Sequence, residues 1–267
     1  MEPMLTIALN AARKAGEIID QAYERLDTVK VESKGRNDYV SNVDKQAEKE
    51  IIYHLSKAYP DHKFLGEESG QSGDKDSLYE WIIDPLDGTT NFLHGIPQFS
   101  VSIACRYKGV LEHAVVLDPI KREEYTASRG RGAMLNGRRI RVSAMTGFEG
   151  ALIGTGIPFN DRTLDCMDDY LACLREIASQ TAGIRRAGSA ALDLAYVAAG
   201  RFDGFWELRL NSWDMAAGIL LLKEAGGLIS DFAGGNTYME SGNVVCGTPK
   251  VFKALLQVVQ KNLGTAK

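Results

Sequence analysis

The sequence predicts an α/β protein in two halves, an α+β half over residues 1–145 and an α/β half over residues 146–267. Three observations predict it. Two segments of helical period come first and are followed by a run of short β-type segments. Beyond residue 150 strand-like and helix-like segments alternate instead. No Pro- or Ser-rich linker separates the two patterns, so the halves should share one continuous core. A chain of 267 residues, 45% hydrophobic, can bury such a core without disulfides or a structural metal.

Each element has its own warrant. Met4, Ala8, Ala11, Ala15, Ile18, Ile19 and Ala22 recur at helical spacing and predict a helix within the first 26 residues. Val43, Ala47, Ile51, Leu55 and Ala58 predict a second over 42–59, stopped by Pro60. Strand-like runs follow at 63–66, 81–84, 99–107, 111–117 and 124–127, with hairpin turns at Lys108-Gly109 and Asn136-Gly137. The small polar segment 71–77 reads as a mobile surface loop. In the second half, strands are expected at 151–155, 184–186, 202–207, 228–230 and 244–245, and helices at 164–178, 190–199 and 214–224. A last helix opens on Thr248 as N-cap and Pro249 at its first position.

Composition narrows the function. Lys and Arg number 31 against 35 Asp and Glu, a net charge of -4, so no global basic field drives nucleic-acid or membrane binding. The opening segment has no basic leader, and Asn10, Arg13 and Lys14 interrupt its apolar residues, so it does not read as a signal peptide. No apolar run approaches the ~18 residues of a membrane span. Cys105, Cys166, Cys173 and Cys246 form no CxxC and read as free buried thiols, which makes the cytoplasm the expected location.

The chemistry lies in acidic residues beside turns and chain ends: Asp38 and Asp44, Glu67-Glu68, Asp84 and Asp87, and Asp214. The apolar run Trp81, Ile82, Ile83 leads into Asp84, where Pro85 should direct a turn and leave Asp84 at a strand end. Asp87-Gly88 makes a second tight turn, and a helix starting near Gly88–Thr90 would point N–H groups at a phosphate. Clustered carboxylates stay ionised only beside a cation. With no His or Cys among them they suit Mg²⁺ rather than zinc. Taken singly, each has a plainer reading: turn residues at Asp84 and Asp87, helix-start acids at Asp44 and Asp214, a solvated pair at Glu67-Glu68. Together they read as metal-assisted phosphoester hydrolysis.

The segments DPLDGTTNF, EESG, WDMAAG with its following EAGG, and GSAALDLAYVAAGRFDGFWE resemble the inositol monophosphatase family, most closely its bacterial branch. The resemblance runs from about Met4 to Leu256. It implies the layered αβαβα sandwich of inositol monophosphatases and sugar phosphatases. It implies that Glu67, Asp84, Asp87, Asp214 and the Leu86 carbonyl bind Mg²⁺. Gly88 and Thr89 match positions that hold phosphate through backbone donors. Thr89, supported by Asp44, matches the pair that orients the attacking water, and with Glu67 these form the expected catalytic set. Gly188, Ser189, Ala190 and Glu207, with Asp87, Gly88, Thr89 and Asp214, match the substrate-binding positions. No role is carried over to Lys34 or Asp38.

On those ligands, one Mg²⁺ would activate a water for in-line attack and a second would stabilise the leaving alkoxide, with no covalent phosphoenzyme. The expected substrate is myo-inositol 1-phosphate. Fructose 1,6-bisphosphate, a 3′-phosphoadenosine nucleotide and histidinol phosphate are the alternatives within the fold. The resemblance also implies lithium sensitivity, a homodimer, and a part in transcription antitermination through RNA polymerase and elongation factors. A transcription subunit with incidental phosphatase activity is therefore the rival reading.

The remaining signals have plainer explanations. Arg129, Arg131, Arg138, Arg139 and Arg141 read as a solvated hairpin more readily than as a nucleic-acid patch. Arg185-Arg186 could position an anionic substrate, or sit at a subunit interface or on a solvated edge. The four histidines show no metal-ligand spacing. Gly226-Gly227 and Gly234-Gly235 read as turns, since no GxGxxG follows a strand.

Overall fold

The computed structural model describes residues 2–35, 38–158 and 164–264, with the side chains of Lys34 and Asp38 outside the described set. Helix α1 (Pro3–Tyr23) opens on a proline and buries Leu5, Ala8, Leu9, Ala12, Ala15 and Ile19 along one stripe. It ends at Tyr23, one residue past the last apolar position of the pattern, where the Tyr23 hydroxyl donates to the Gly95 carbonyl at 2.6 Å. The small hairpin of β1 (Val31–Gly35) and β2 (Asp38–Ser41) was not legible in the sequence. Val31, Glu32, Ser33 and Tyr39 are exposed, and among the hairpin's described side chains only Val40 and Ser41 are buried, too short a run to impose alternation. Helix α2 (Asn42–Ala58) stops just before the expected Pro60 boundary.

The large sheet begins with β3 (Lys63–Gly66), β4 (Gly70–Gly73) and β5 (Tyr79–Asp87). Two expectations need correcting here. Gly70–Gly73 is a strand paired antiparallel with β3, so the first part of the expected 71–77 loop is sheet. Its residues are small and polar because β4 is an edge with one neighbour. Pro85 does not end β5, which continues to Asp87. Its register against the next strand shifts between Asp84 and Asp87, and the irregular stretch tolerates the missing N–H.

The short helix α3 (Thr89–Leu93) follows, then β6 (Ser100–Tyr107), β7 (Val110–Asp118), β8 (Glu123–Ser128), β9 (Gly132–Leu135) and β10 (Arg138–Arg139). Lys108-Gly109 and Asn136-Gly137 have positive φ at both positions, as two-residue hairpin turns require. The sheet order is β10-β9-β8-β7-β6-β5-β3-β4. The second half supplies β11 (Leu152–Thr155), α4 (Met167–Ala178), β12 (Gly183–Arg185), α5 (Ala190–Ala198), β13 (Gly204–Glu207), α6 (Ser212–Glu224), β14 (Leu228–Ser230), α7 (Tyr238–Ser241), β15 (Val244–Gly247) and α8 (Pro249–Leu263). The helix expected over 164–178 begins as a 3-10 turn at Leu164–Cys166. The small sheet has the order β12-β11-β13-β15-β14.

Strand alternation sorts the core into layers. Trp81, Ile83, Ile103, Cys105 and Val115 face α1 and α2. Ile82, Ala104, Ala114 and Val116 face α5 and α6, which also pack on Phe205 and Cys246 of the small sheet. Trp206 and Val245 face α4 and α8. The result is the five-layer αβαβα sandwich. The single expected core is thus three, because each of two sheets buries both faces. The middle one joins strands of both halves. Helix α6, enclosed on all sides, is buried from Met215 through Leu222.

Candidate active site

Asp84, Leu86 and Asp87 stand at the C-terminal end of β5, and Glu67 follows the end of β3, its parallel neighbour. The Glu67 N–H donates to the Ile83 carbonyl at 3.1 Å, which holds the two strand ends together. Asp214 enters from the middle helix layer, in the first turn of α6. There the Ser102 hydroxyl donates to the Trp213 carbonyl at 3.2 Å and ties that turn to the large sheet. The site therefore forms at the carboxyl ends of strands, under a helix start.

The plain and functional readings of two acids coincide. Asp214 caps α6, accepting the Asn211 N–H at 2.6 Å, and Asp44 caps α2, accepting the Ser41 N–H at 2.9 Å and its hydroxyl at 2.5 Å. Each cap fixes its carboxylate with one face still available. Asp44 Oδ1 accepts from the Thr89 hydroxyl at 3.0 Å, and that hydroxyl is also 3.0 Å from the Leu86 carbonyl. One proton can serve only one of these acceptors at a time.

The acids repel one another. Burial first, then the charges of Glu67, Asp87 and Asp214, push the Asp84 carboxyl well above its ordinary range, and it is hydrogen-bonded to Glu67. Burial raises Asp87 to about 6, opposed by donors from Ser189, Ala191 and Ala190. Burial, then Asp87 and Glu67, push Asp214 well up, against the Asn211 N–H. Among the described residues no Lys or Arg is found opposing these three shifts.

That all-oxygen donor set fits a hard divalent cation. Among the described residues no three His, Cys, Asp or Glu side chains already form a metal-binding group.

The substrate side is built from the second half. Gly88, at φ 98° before α3, leaves no room for a side chain: a Cβ would stand 2.9 Å from the Gln98 carbonyl oxygen and 3.1 Å from that of Gly188. Gly88 and Thr89 thus lie against the Gly188–Ala190 turn. Asn91 fastens this contact, donating to the carbonyls of Gln98 and Ala187 at 2.8 Å each. Ser189 caps α5, and its hydroxyl and the Ala191 N–H both donate to Asp87. Glu207, ending β13, packs over Gly156, where a Cβ would fall 1.8 Å from its Oε1. Burial and the Asp87 charge push Glu207 up to about 8, with Arg186 opposing.

Three participants were missed. Asn91 lies within the segment DPLDGTTNF but was given no role of its own. Glu48 lies one helical turn after Asp44 on the buried face of α2, and that i, i+4 spacing was its signal. Asp193 is 1% exposed in α5, raised by burial and then by Glu207 and Asp87. Its signal was an acid inside the apolar run AALDLAYVAA. Asp38, grouped with Asp44 in the sequence, has its side chain outside the described residues.

Other expectations resolve simply. Arg129 pairs with Glu112 at 3.1 Å and Arg131 with Glu2 at 3.4 Å on a solvated edge. The Trp81 Nε1–H donates to His62 Nδ1 at 3.0 Å, His54 pairs with Glu50, and His113 contacts Ser128. All four cysteines are buried and free. Among the described residues no helix is long and apolar enough to cross a membrane.

The sequence model of the inositol monophosphatase family matches residues 1–263. The Nus factor SuhB of Pseudomonas aeruginosa is 60% identical over 265 residues, covering 98% of each chain. Among solved structures, the extragenic suppressor protein SuhB of Bartonella henselae has a TM-score of 0.94 at 46% identity, covering 98% of this chain and all of its own. The IMPase of Thermotoga maritima has a TM-score of 0.87 at 35% identity, over 97% and 98% of the two chains.

Proposed function

We propose that this chain, which belongs to the inositol monophosphatase family, is a Mg²⁺-dependent hydrolase of small phosphomonoesters, with myo-inositol 1-phosphate as substrate. The observation that carries this reading is the gathering of Glu67, Asp84, Asp87 and Asp214 from two layers, with no cationic side chain among the described residues opposing their repulsion. Mg²⁺ held by these four and the Leu86 carbonyl would supply Lewis-acid stabilisation and acidify a water.

The chain's own residues do the rest. Thr89 Oγ1 can accept a proton from the attacking water while passing its own to Asp44, 3.0 Å away. The N–H groups of Gly88 and Thr89 bind phosphoryl oxygens as their charge grows. Ser189 and Ala191 hold Asp87 in one orientation. Glu207, with the Gly188–Ala190 turn, binds polyol hydroxyls.

Phosphate release from myo-inositol 1-phosphate, fructose 1,6-bisphosphate, adenosine 3′,5′-bisphosphate and histidinol phosphate, with and without Mg²⁺, tests this reading. The inositol ester should lead and hydrolysis should need the ion. A strong preference for the adenosine nucleotide, or near wild-type turnover by Asp84→Asn, would overturn it. Lithium inhibition, a homodimer and a cytoplasmic location belong to the same proposal.

The name Nus factor carried by the Pseudomonas relative favours a second role, association with a transcription complex through RNA polymerase and elongation factors. Capture of polymerase by the tagged protein at low salt, equally by wild type and Asp84→Asn, is expected. Absence of polymerase from both captures would end this second reading.

A further inference from the structure

We propose that Glu48 is a positioning residue that sets Glu67 for metal binding by bracketing the turn after β3; the inference rests on the metal-site reading above. Glu48 is a carboxylate only 2% exposed. Its Oε2 accepts the Glu68 N–H at 2.9 Å and its Oε1 the Ser69 N–H at 2.8 Å. Both oxygens are therefore spent on the backbone immediately after Glu67. Among the described residues no cationic side chain pairs with it. Gly66, on the other side of Glu67, makes room for it: a Cβ there would stand 2.4 Å from Glu48 Oε2.

An apolar side chain would fill this space at lower desolvation cost. A bidentate acceptor gives instead a fixed orientation of consecutive amides, and so of the turn carrying Glu67. Asp44 lies one turn earlier on the same buried face of α2 and holds Thr89. A single rigid helix thus sets both sides of the site, Thr89 through Asp44 and Glu67 through Glu48. Partners one bond removed from a ligand typically change metal affinity by roughly ten- to a hundredfold when lost.

The test compares Glu48→Gln with Leu55→Ala, a core truncation two turns away on α2, in the full chain. Glu48→Gln keeps the shape but presents an amide N–H₂ to one of the two donors. Its half-saturating Mg²⁺, read from the Mg²⁺-dependent rise in Tm, should increase roughly ten- to a hundredfold. Exchange of the Glu68 and Ser69 amides in metal-free protein should speed up. KM for the ester at saturating Mg²⁺ should stay within about twofold.

Leu55→Ala should lower Tm without moving the Mg²⁺ midpoint. If Glu48→Gln does not fold, Glu48→Asp, whose shorter carboxylate reaches one amide, should move the same readouts less. A Glu48 variant with the wild-type midpoint, or an equal shift in Leu55→Ala, overturns the positioning role alone. A wild-type Tm indifferent to Mg²⁺ overturns both this role and the metal-site reading.

Discussion

Ser189 donates its hydroxyl to Asp87 Oδ2 at 2.5 Å, joining residues 102 positions apart. The bond pins the start of α5 to the end of β5, so the middle helix layer meets the large sheet at the site itself. The Ala191 N–H reaches the same oxygen at 2.8 Å. Losing the hydroxyl leaves a buried carboxylate one donor short. Ser189→Ala should cost about 1–3 kcal/mol of stability in urea unfolding, and kcat/KM should fall roughly tenfold as Asp87 loosens. Ser189→Thr, which keeps the hydroxyl, should recover most of both. A Ser189→Ala protein indistinguishable from wild type in both measurements would contradict this account of the junction.

Thr89 and Asp44 should behave as one unit. The hydroxyl shares a single proton between Asp44 and the Leu86 carbonyl, so its value to the reaction depends on Asp44 accepting it. Thr89→Val, similar in shape but without the hydroxyl, should lower kcat roughly a hundredfold at saturating Mg²⁺, and Asp44→Asn by a similar factor. The double variant should lose little more than the worse single one. Thr89→Ser should stay close to wild type. Fully multiplicative losses in the double variant would show that the two residues act separately.

The sequence made the site's components legible because each sits at a local landmark: Asp84 and Asp87 beside a proline and a glycine, Asp44 and Asp214 at helix starts, Glu67 in a turn. The sheets were legible where β-type runs are long and bounded by turn signals, as in β6 and β7 on either side of Lys108-Gly109. Short, mostly exposed elements escaped, as β1, β2 and β4 did. Relations between distant segments escaped for a different reason. Nothing local in Asn91 announces the Ala187 carbonyl it binds 96 positions later. Nor does Glu48 announce a turn 20 residues on. Pro85 misled because its usual effect on a strand is real, and here a register irregularity absorbs it.

Glu207 should make metal-free stability depend on pH. Its folded value is about 8, pushed up from the ordinary glutamate range by burial and then by Asp87. A carboxyl with a raised folded pKa contributes stability that is fully present below its unfolded pKa, about 4.3. That contribution is lost as pH rises through the folded value, because the native site then has to hold an unfavourable charge. Tm in chelator should therefore fall between about pH 4.5 and 8. Glu207→Gln, neutral throughout, should show a shallower fall over the same window. Parallel Tm–pH curves for the two proteins would assign the dependence to other groups.

Asp84→Asn should separate stability from function. Asn retains the acceptor that takes the Leu86 N–H at 3.0 Å and gains an N–H₂ that can donate to Glu67, so the local bonds survive. What disappears is one of several like charges in a buried site, whose mutual repulsion pushes the native carboxyls upward. In chelator near pH 8 the variant should therefore melt several degrees above wild type, while its Mg²⁺-dependent hydrolysis falls by roughly 10²–10³-fold or more. Mg²⁺ should raise the wild-type Tm and barely move the variant's, reducing or reversing the gap. This response follows only if the acidic cluster is strained without a cation and relieved by one. Should Asp84→Asn lower the metal-free Tm as an ordinary core substitution does, the cluster is not held in mutual repulsion and needs no cation to relieve it.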